Sequence, residues 1–241
     1  MKVDNISLNR VRVGISAASL LGSVAINKRP VMLAPVSFLC IAVSNTCDIR
    51  TVKGHAFRRG LRLAPYVTPC LVYKREKPVA KQGISILAYL LAVTPTLYSL
   101  IGNRKNLRIL LNREIARLMP EISIEDKVTE SAFFLAPSLF QEVYHRGFLP
   151  LVVGKLGINN PLIISLISGI TFAGEHLFAP PGGNGHTSFD SSNFVKWFLL
   201  GAFWQGCTIL NRDRVGPSIC AHFLLNLPRA IQPFLRRTIS M

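Results

Sequence analysis

Between residues 131 and 178 the sequence carries only two acidic side chains, Glu142 and Glu175, in an otherwise apolar stretch. Beside them stand His145, Arg146, Lys155 and His176. An ionisable group within a membrane-spanning helix costs at least ~2.5–3.5 kcal/mol on insertion scales, so each is a functional candidate. Three clusters stand out. In Gln141-Glu142-Val143-Tyr144-His145-Arg146, Glu142 and Arg146 are four apart on one helical face and can pair, which would also serve to hold two helices together. Gln141 lies one residue round the helix, near His145. In Phe172-Ala173-Gly174-Glu175-His176, Gly169 and Gly174 would let another helix approach closely, and Glu175 is expected near the membrane surface, solvated. In His222-Phe223-Leu224-Leu225-Asn226, His222 and Asn226 share a face in an apolar run. Any one cluster could be an interhelical hydrogen-bond pair. Three such clusters, on three helices all able to face one interior, point beyond packing to a shared polar site.

The elements that must position these residues follow from composition and run length. The 241 residues hold 28 Lys and Arg against 12 Asp and Glu, a net charge of +16, yet only 17% are charged and 49% are apolar. Such a balance, with a mean hydropathy of +0.35, excludes a disordered basic tail and argues against a nucleic-acid binder. It fits basic segments set between the apolar helices of a multi-pass integral membrane protein. The apolar run 13–26 resembles the core of a signal peptide, and 30–47 follows almost at once, so cleavage and an uncleaved hairpin stay equally open. Residues 48–81 hold nine basic and two acidic side chains around a short apolar piece, 64–73, expected to be interfacial or re-entrant. The uncharged run 83–101 is long enough to span, with Pro95 a predicted kink. Helical spacing of Leu107, Leu110, Leu111, Ile115 and Leu118 predicts an amphipathic surface helix within 103–130. Four further helices are drawn over 132–153, 161–178, 194–210 and 215–235, with a Pro- and Gly-rich loop at 180–185. No strand pattern competes. The fold class expected is all-α, a membrane helical bundle with a polar intramembrane cavity, divided into N-terminal segments at 1–130 and a core at 131–235. The five cysteines form no CxxC pair and read as buried free thiols.

QEVYHRG, FAGEH and HFLLN, in that order, resemble the three motifs of the CAAX-protease and bacteriocin-processing family of intramembrane endopeptidases, EExxxR, FxxxH and HxxxN or HxxxD. The stretch GCTILNRDRVGPSICAHFLLN resembles that family's run into its last motif. The likeness covers about 131–235. It implies an endopeptidase acting on a membrane-associated, prenylated CAAX or leader-type peptide. It also implies that first-motif carboxylates and the second-motif His activate a water, while the last-motif His and Asn polarise the carbonyl or steady the oxyanion. Carried over by position, Glu142, His176, His222 and Asn226 are the catalytic set, with Arg146 and Gln141 orienting. Gln141 departs from the pattern, since an amide can orient a water but cannot take its proton. Either Glu142 or His176 takes over as base, or the protein is an impaired relative that binds a peptide or lipid tail without cutting it.

Two other chemistries are open to the same residues. Glu142, His176 and His222 could form a zinc site of two imidazoles and one carboxylate, but HExxH is absent and a metal-free mechanism without cofactor is preferred. A transporter would also use intramembrane Glu, His and Arg, but no inverted repeat is visible. The partners expected are a lipidated or membrane-associated peptide and the bilayer itself, with anionic head groups drawn to the basic stretch, and no nucleic acid.

Overall fold

The structure is a computed structural model that describes residues 22, 25, 29–45, 52–76, 85–177 and 191–239. The apolar run 13–26, the loop at 180–185 and Cys47 lie largely or wholly outside these residues. The described residues are helical throughout, apart from short connections and one isolated bridge between Ile122 and Thr238. In chain order the helices are α1 (Pro30–Asn45), α2 (Val52–Glu76), α3 (Ile86–Gly102), α4 (Arg104–Leu110), α5 (Arg113–Leu118) and α6 (Ile124–Glu142). A π-helical turn at Val143–Phe148 leads into α7 (Leu149–Lys155), followed by α8 (Pro161–Leu177), α9 (Ser191–Leu210) and α10 (Gly216–Leu235).

Three segments differ from the sequence expectation. The run 64–73, expected as a short interfacial or re-entrant piece, belongs to the second half of one longer helix, α2, in keeping with the Lys and Arg residues around it, which are good helix formers. The surface helix expected within 103–130 is cut into pieces. Asn112 turns its side chain onto the amides of Glu114 and Ile115 to start α5, and Pro120 follows the end of that helix. The helix drawn from 132 begins at Ile124, where the Ser123 side chain caps Asp126 and Glu125 and Asp126 sit in the first turn. The same helix passes into the π turn after Glu142. Of the cysteines, Cys40 and Cys207 are buried and Cys70 and Cys220 half-buried, all as free thiols.

Polar rungs tie α6 to α10 in antiparallel fashion. Ser131 donates to the Ala230 carbonyl at 2.6 Å, Asn226 donates to Ser138 at 3.2 Å, and His222 meets Glu142 at 2.8 Å. The partners on α10 step back by four residues, so they share one face. Helices α8 and α9 approach through glycine. A Cβ on Gly169 would lie 2.7 Å from the Phe198 carbonyl oxygen, and one on Gly201 would lie 3.1 Å from the Gly169 Cα. Helix α3 is built inside out. Its buried positions are Ala88, Ala92 and Thr96, four apart, while Ile86, Leu90, Tyr98 and Ile101 are exposed. Small residues let it lie close to α9 and α10, where Trp204 donates to the Ala92 carbonyl and Thr96 to that of Ala221. Among the described residues no single helix is long and apolar enough to cross a membrane. The pair Ile86–Gly102 and Arg104–Leu110 reaches that length together, bent by 76°. Helices α1, α3 and α8 fall short by length, at 16, 17 and 17 residues.

Candidate active site

The π turn sets the site. A turn widened by one residue is a local departure that recurs at functional positions. Here Tyr144, His145, Arg146, Gly147 and Phe148 are all buried in succession, against α2 on one side and α8 on the other. Gly147 is required by the α2 contact, since a Cβ there would meet the Tyr73 ring at 2.8 Å.

Glu142 ends α6 fully buried, with its two oxygens turned to two different partners. His222 Nδ1 on α10 lies 2.8 Å from Oε1, and Arg146 Nε lies 3.3 Å from Oε2. The Glu142–Arg146 pair read from the sequence therefore forms, and its angle falls short of a hydrogen bond, so the attraction is coulombic. Arg146 is held further by a bond to Ser168 at 3.2 Å and by stacking over Phe172, 4.5 Å from the ring centroid. Ser168 in turn donates to the His145 carbonyl at 2.9 Å, which pins α8 to the π turn.

His176 lies in the last turn of α8. Its Nδ1 is 2.8 Å from the Phe172 carbonyl oxygen, and since a carbonyl only accepts, Nδ1 carries the proton. In the neutral ring, Nε2 is then an unprotonated acceptor. The ring stacks on Trp197 of α9 at 4.3 Å, and His222 stacks on Trp204 at 5.4 Å. Gln141, His176, His222 and Asn226 line one cavity of about 300 Å³, walled by Phe133, Phe134, Pro137, Trp197 and Leu225. The residues assigned roles from the sequence thus fall into two connected layers. Four face the cavity, and Glu142 stands behind His222 with Arg146 behind it. Glu142 is not in the cavity wall, so its carboxylate reaches the cavity through His222 rather than directly.

One expectation fails. Glu175 is not solvated at a helix edge but buried, with 3% of its surface exposed. Tyr66 and Gln141 both donate to its Oε1, and His145 Nε2 lies 2.7 Å from its Oε2. Apolar packing of α2 and the π turn over the end of α8 removes it from solvent. The spacing of Gln141 and His145, four apart on one face, was the signal for a shared partner. Tyr66, inside a basic stretch, gave none. Among the described residues no group of three or more His, Cys, Asp or Glu side chains is placed so that it could hold a metal ion.

The site thus combines a buried carboxylate, two imidazoles and two amides contributed by three helices. Residues 130–228 match the family model described as Type II CAAX prenyl endopeptidase Rce1-like. The resemblance carried by the three motifs is therefore shown for that segment, which is less than half of the chain and contains every site residue named from the sequence. The family is one of proteases. No curated protein and no solved structure matches the chain.

Proposed function

We propose that the protein is an intramembrane endopeptidase that hydrolyses a peptide bond of a membrane-associated, lipid-modified peptide. The observation that carries this reading is the convergence of Gln141, His176, His222 and Asn226, from three helices, on one cavity, with a carboxylate behind one imidazole. His176 Nε2, held unprotonated by the Phe172 carbonyl, takes a proton from water as the water oxygen attacks the scissile carbonyl. His222 acts as the imidazolium, with Nδ1–H on the Glu142 carboxylate and Nε2–H turned to the cavity, so that it and Asn226 donate to the oxyanion that forms while Glu142 stabilises the positive charge on the ring. Collapse breaks the C–N bond, and His176 returns its proton to the leaving amine. Glu142 and Arg146 act by placing His222. Each of these steps is carried by a side chain of the site itself.

Membrane embedding is supported by the inverted pattern of α3 and by exposed apolar side chains on α8 and α9, among them Leu162, Ile170, Val195 and Leu199. A second cavity, of about 970 Å³, lies between α3 and α9 and is lined by Pro95, Tyr98, Leu199 and Phe203. It shares Trp197 and Leu225 with the polar cavity, so an apolar tail seated there would hold a peptide beside the imidazoles. The basic composition of 48–81 would add attraction to anionic head groups, at about 1 kcal/mol per basic residue near the surface. The test is cleavage of quenched fluorescent peptides, with and without an isoprenylated cysteine, by the purified protein in lipid vesicles. Turnover of the isoprenylated peptide that is lost on His176→Phe supports the reading. A wild type that binds the isoprenylated peptide and never cuts it would instead make the protein a non-catalytic relative.

A further inference from the structure

The proposed chemistry uses one carboxylate, Glu142, yet a second lies buried beside the cavity. Glu175 is covered by three donors, Tyr66, Gln141 and His145, drawn from α2, α6 and the π turn. It does not line the cavity, but Gln141, which donates to it, does. A carboxylate at 3% exposure is costly unless its lone pairs are satisfied. Here both oxygens are. The motif resemblance asks for a carboxylate at 141, where this chain has an amide. Within hydrogen-bond reach of that amide stands the carboxylate of Glu175, contributed by a different helix.

We propose that Glu175 and Gln141 are an exchanged carboxylate–amide pair, in which Glu175 is a positioning residue that fixes Gln141 for the water. With Nε2 of Gln141 donating to Glu175, the amide oxygen is the acceptor left for the cavity. That oxygen accepts a hydrogen bond from the attacking water and orients it toward His176 Nε2. No proton is transferred to Gln141, and Glu175 keeps its charge throughout. His145 and Tyr66 hold Glu175 in place, and His145 also reaches Thr171 at 3.2 Å, one turn before Glu175 on α8. The inference deepens the endopeptidase reading and rests on it for the role of the water.

Four proteins test it: wild type, Gln141→Glu, Glu175→Gln and the double variant, each in lipid vesicles. Thermal midpoints are read without substrate, and kcat and KM with the isoprenylated fluorescent peptide. Gln141→Glu sets two carboxylates within hydrogen-bond reach, and Glu175→Gln sets two amides there and takes the charged acceptor from His145 and Tyr66. Both single variants should have lowered midpoints. Glu175→Gln should lose about ten-fold or more in kcat with KM little changed, as misplacing a reacting group does. The double variant restores one carboxylate and one amide, while His145 and Tyr66 still meet an amide at 175, so its midpoint loss should be clearly smaller than the two single losses together and most of kcat should return. Midpoint losses that simply add in the double variant would overturn the pairing. Recovery of the midpoint without recovery of kcat would overturn the positioning role. An inert wild type overturns the endopeptidase reading and the positioning role with it, while the midpoints still decide the pair.

Discussion

Arg146→Ala probes the buried charge layer most directly. The guanidinium is 1% exposed and is the group that faces Glu142 Oε2, at 3.3 Å. Removing it leaves a carboxylate with 0% exposure and one remaining hydrogen-bond partner, His222 at 2.8 Å. Breaking a buried pair by deleting one partner costs about 3–5 kcal/mol, and the surviving His222 bond places this case at the lower end. Loss of the Phe172 stack and of the Ser168 bond adds about 1 kcal/mol, so a total near 4 kcal/mol is expected, roughly the middle of that range. Glu142→Gln on its own keeps an oxygen that can accept from His222 but leaves Arg146 without its counter-charge. In the double variant neither charge remains, so the loss should be smaller than the two single losses together by about 1.5 kcal/mol or more. The assay is unfolding in detergent micelles followed by tryptophan fluorescence, to which Trp204 reports directly from 6.0 Å away. Additivity within about 0.5 kcal/mol would show that the two side chains do not interact, and the charge layer would then have no energetic basis.

His176→Phe keeps the ring stacked on Trp197 and removes Nε2, so it should leave the thermal midpoint nearly unchanged and cut kcat by about 10²–10⁴-fold. His222→Ala should cost a comparable factor and also lower stability, because Glu142 loses a partner; full activity in both variants would sink the assignment. Gly169→Val drives a side chain into the Phe198 carbonyl and should destabilise by about 1–3 kcal/mol in micelle unfolding, whereas Gly206→Ala, where a Cβ has open space, should be neutral or stabilising. The chain should stay with the membrane pellet after carbonate extraction at high pH, and its release to the supernatant would refute the embedded bundle.

Helix placement was legible wherever an apolar run was bounded by polar residues. The runs 30–47, 83–101, 161–178, 194–210 and 215–235 each became a helix within a few residues of those limits. Local turn chemistry was harder to see. The Leu and Ile spacing across 103–130 is helical, but Asn112 and Pro120 outweigh it, since a side-chain cap and a missing amide each end a helix whatever its apolar face. The π turn left no mark, because Glu142 and Arg146 pair at the same spacing in either geometry. His176, His222 and Asn226, which line one cavity, were legible as candidates because polar groups in apolar helices stand out by type alone.

Glu175 stood out by type as well, and its environment was still misread. Its neighbours come from 109, 34 and 30 residues away in sequence, and no spacing along α8 encodes them. A motif counts residues along one helix, whereas the cavity wall requires only that charge and donors occupy given places. A carboxylate can therefore leave the motif helix for a facing one, provided the position it vacates supplies a donor. Gln141 does so, and this changes the meaning of the substitution at that site. Read along the sequence, the amide at 141 is a missing acid. Read across the helix interface, it is one half of a pair whose other half is Glu175, so Gln141→Glu alone should harm a site that, by motif reasoning, it would repair.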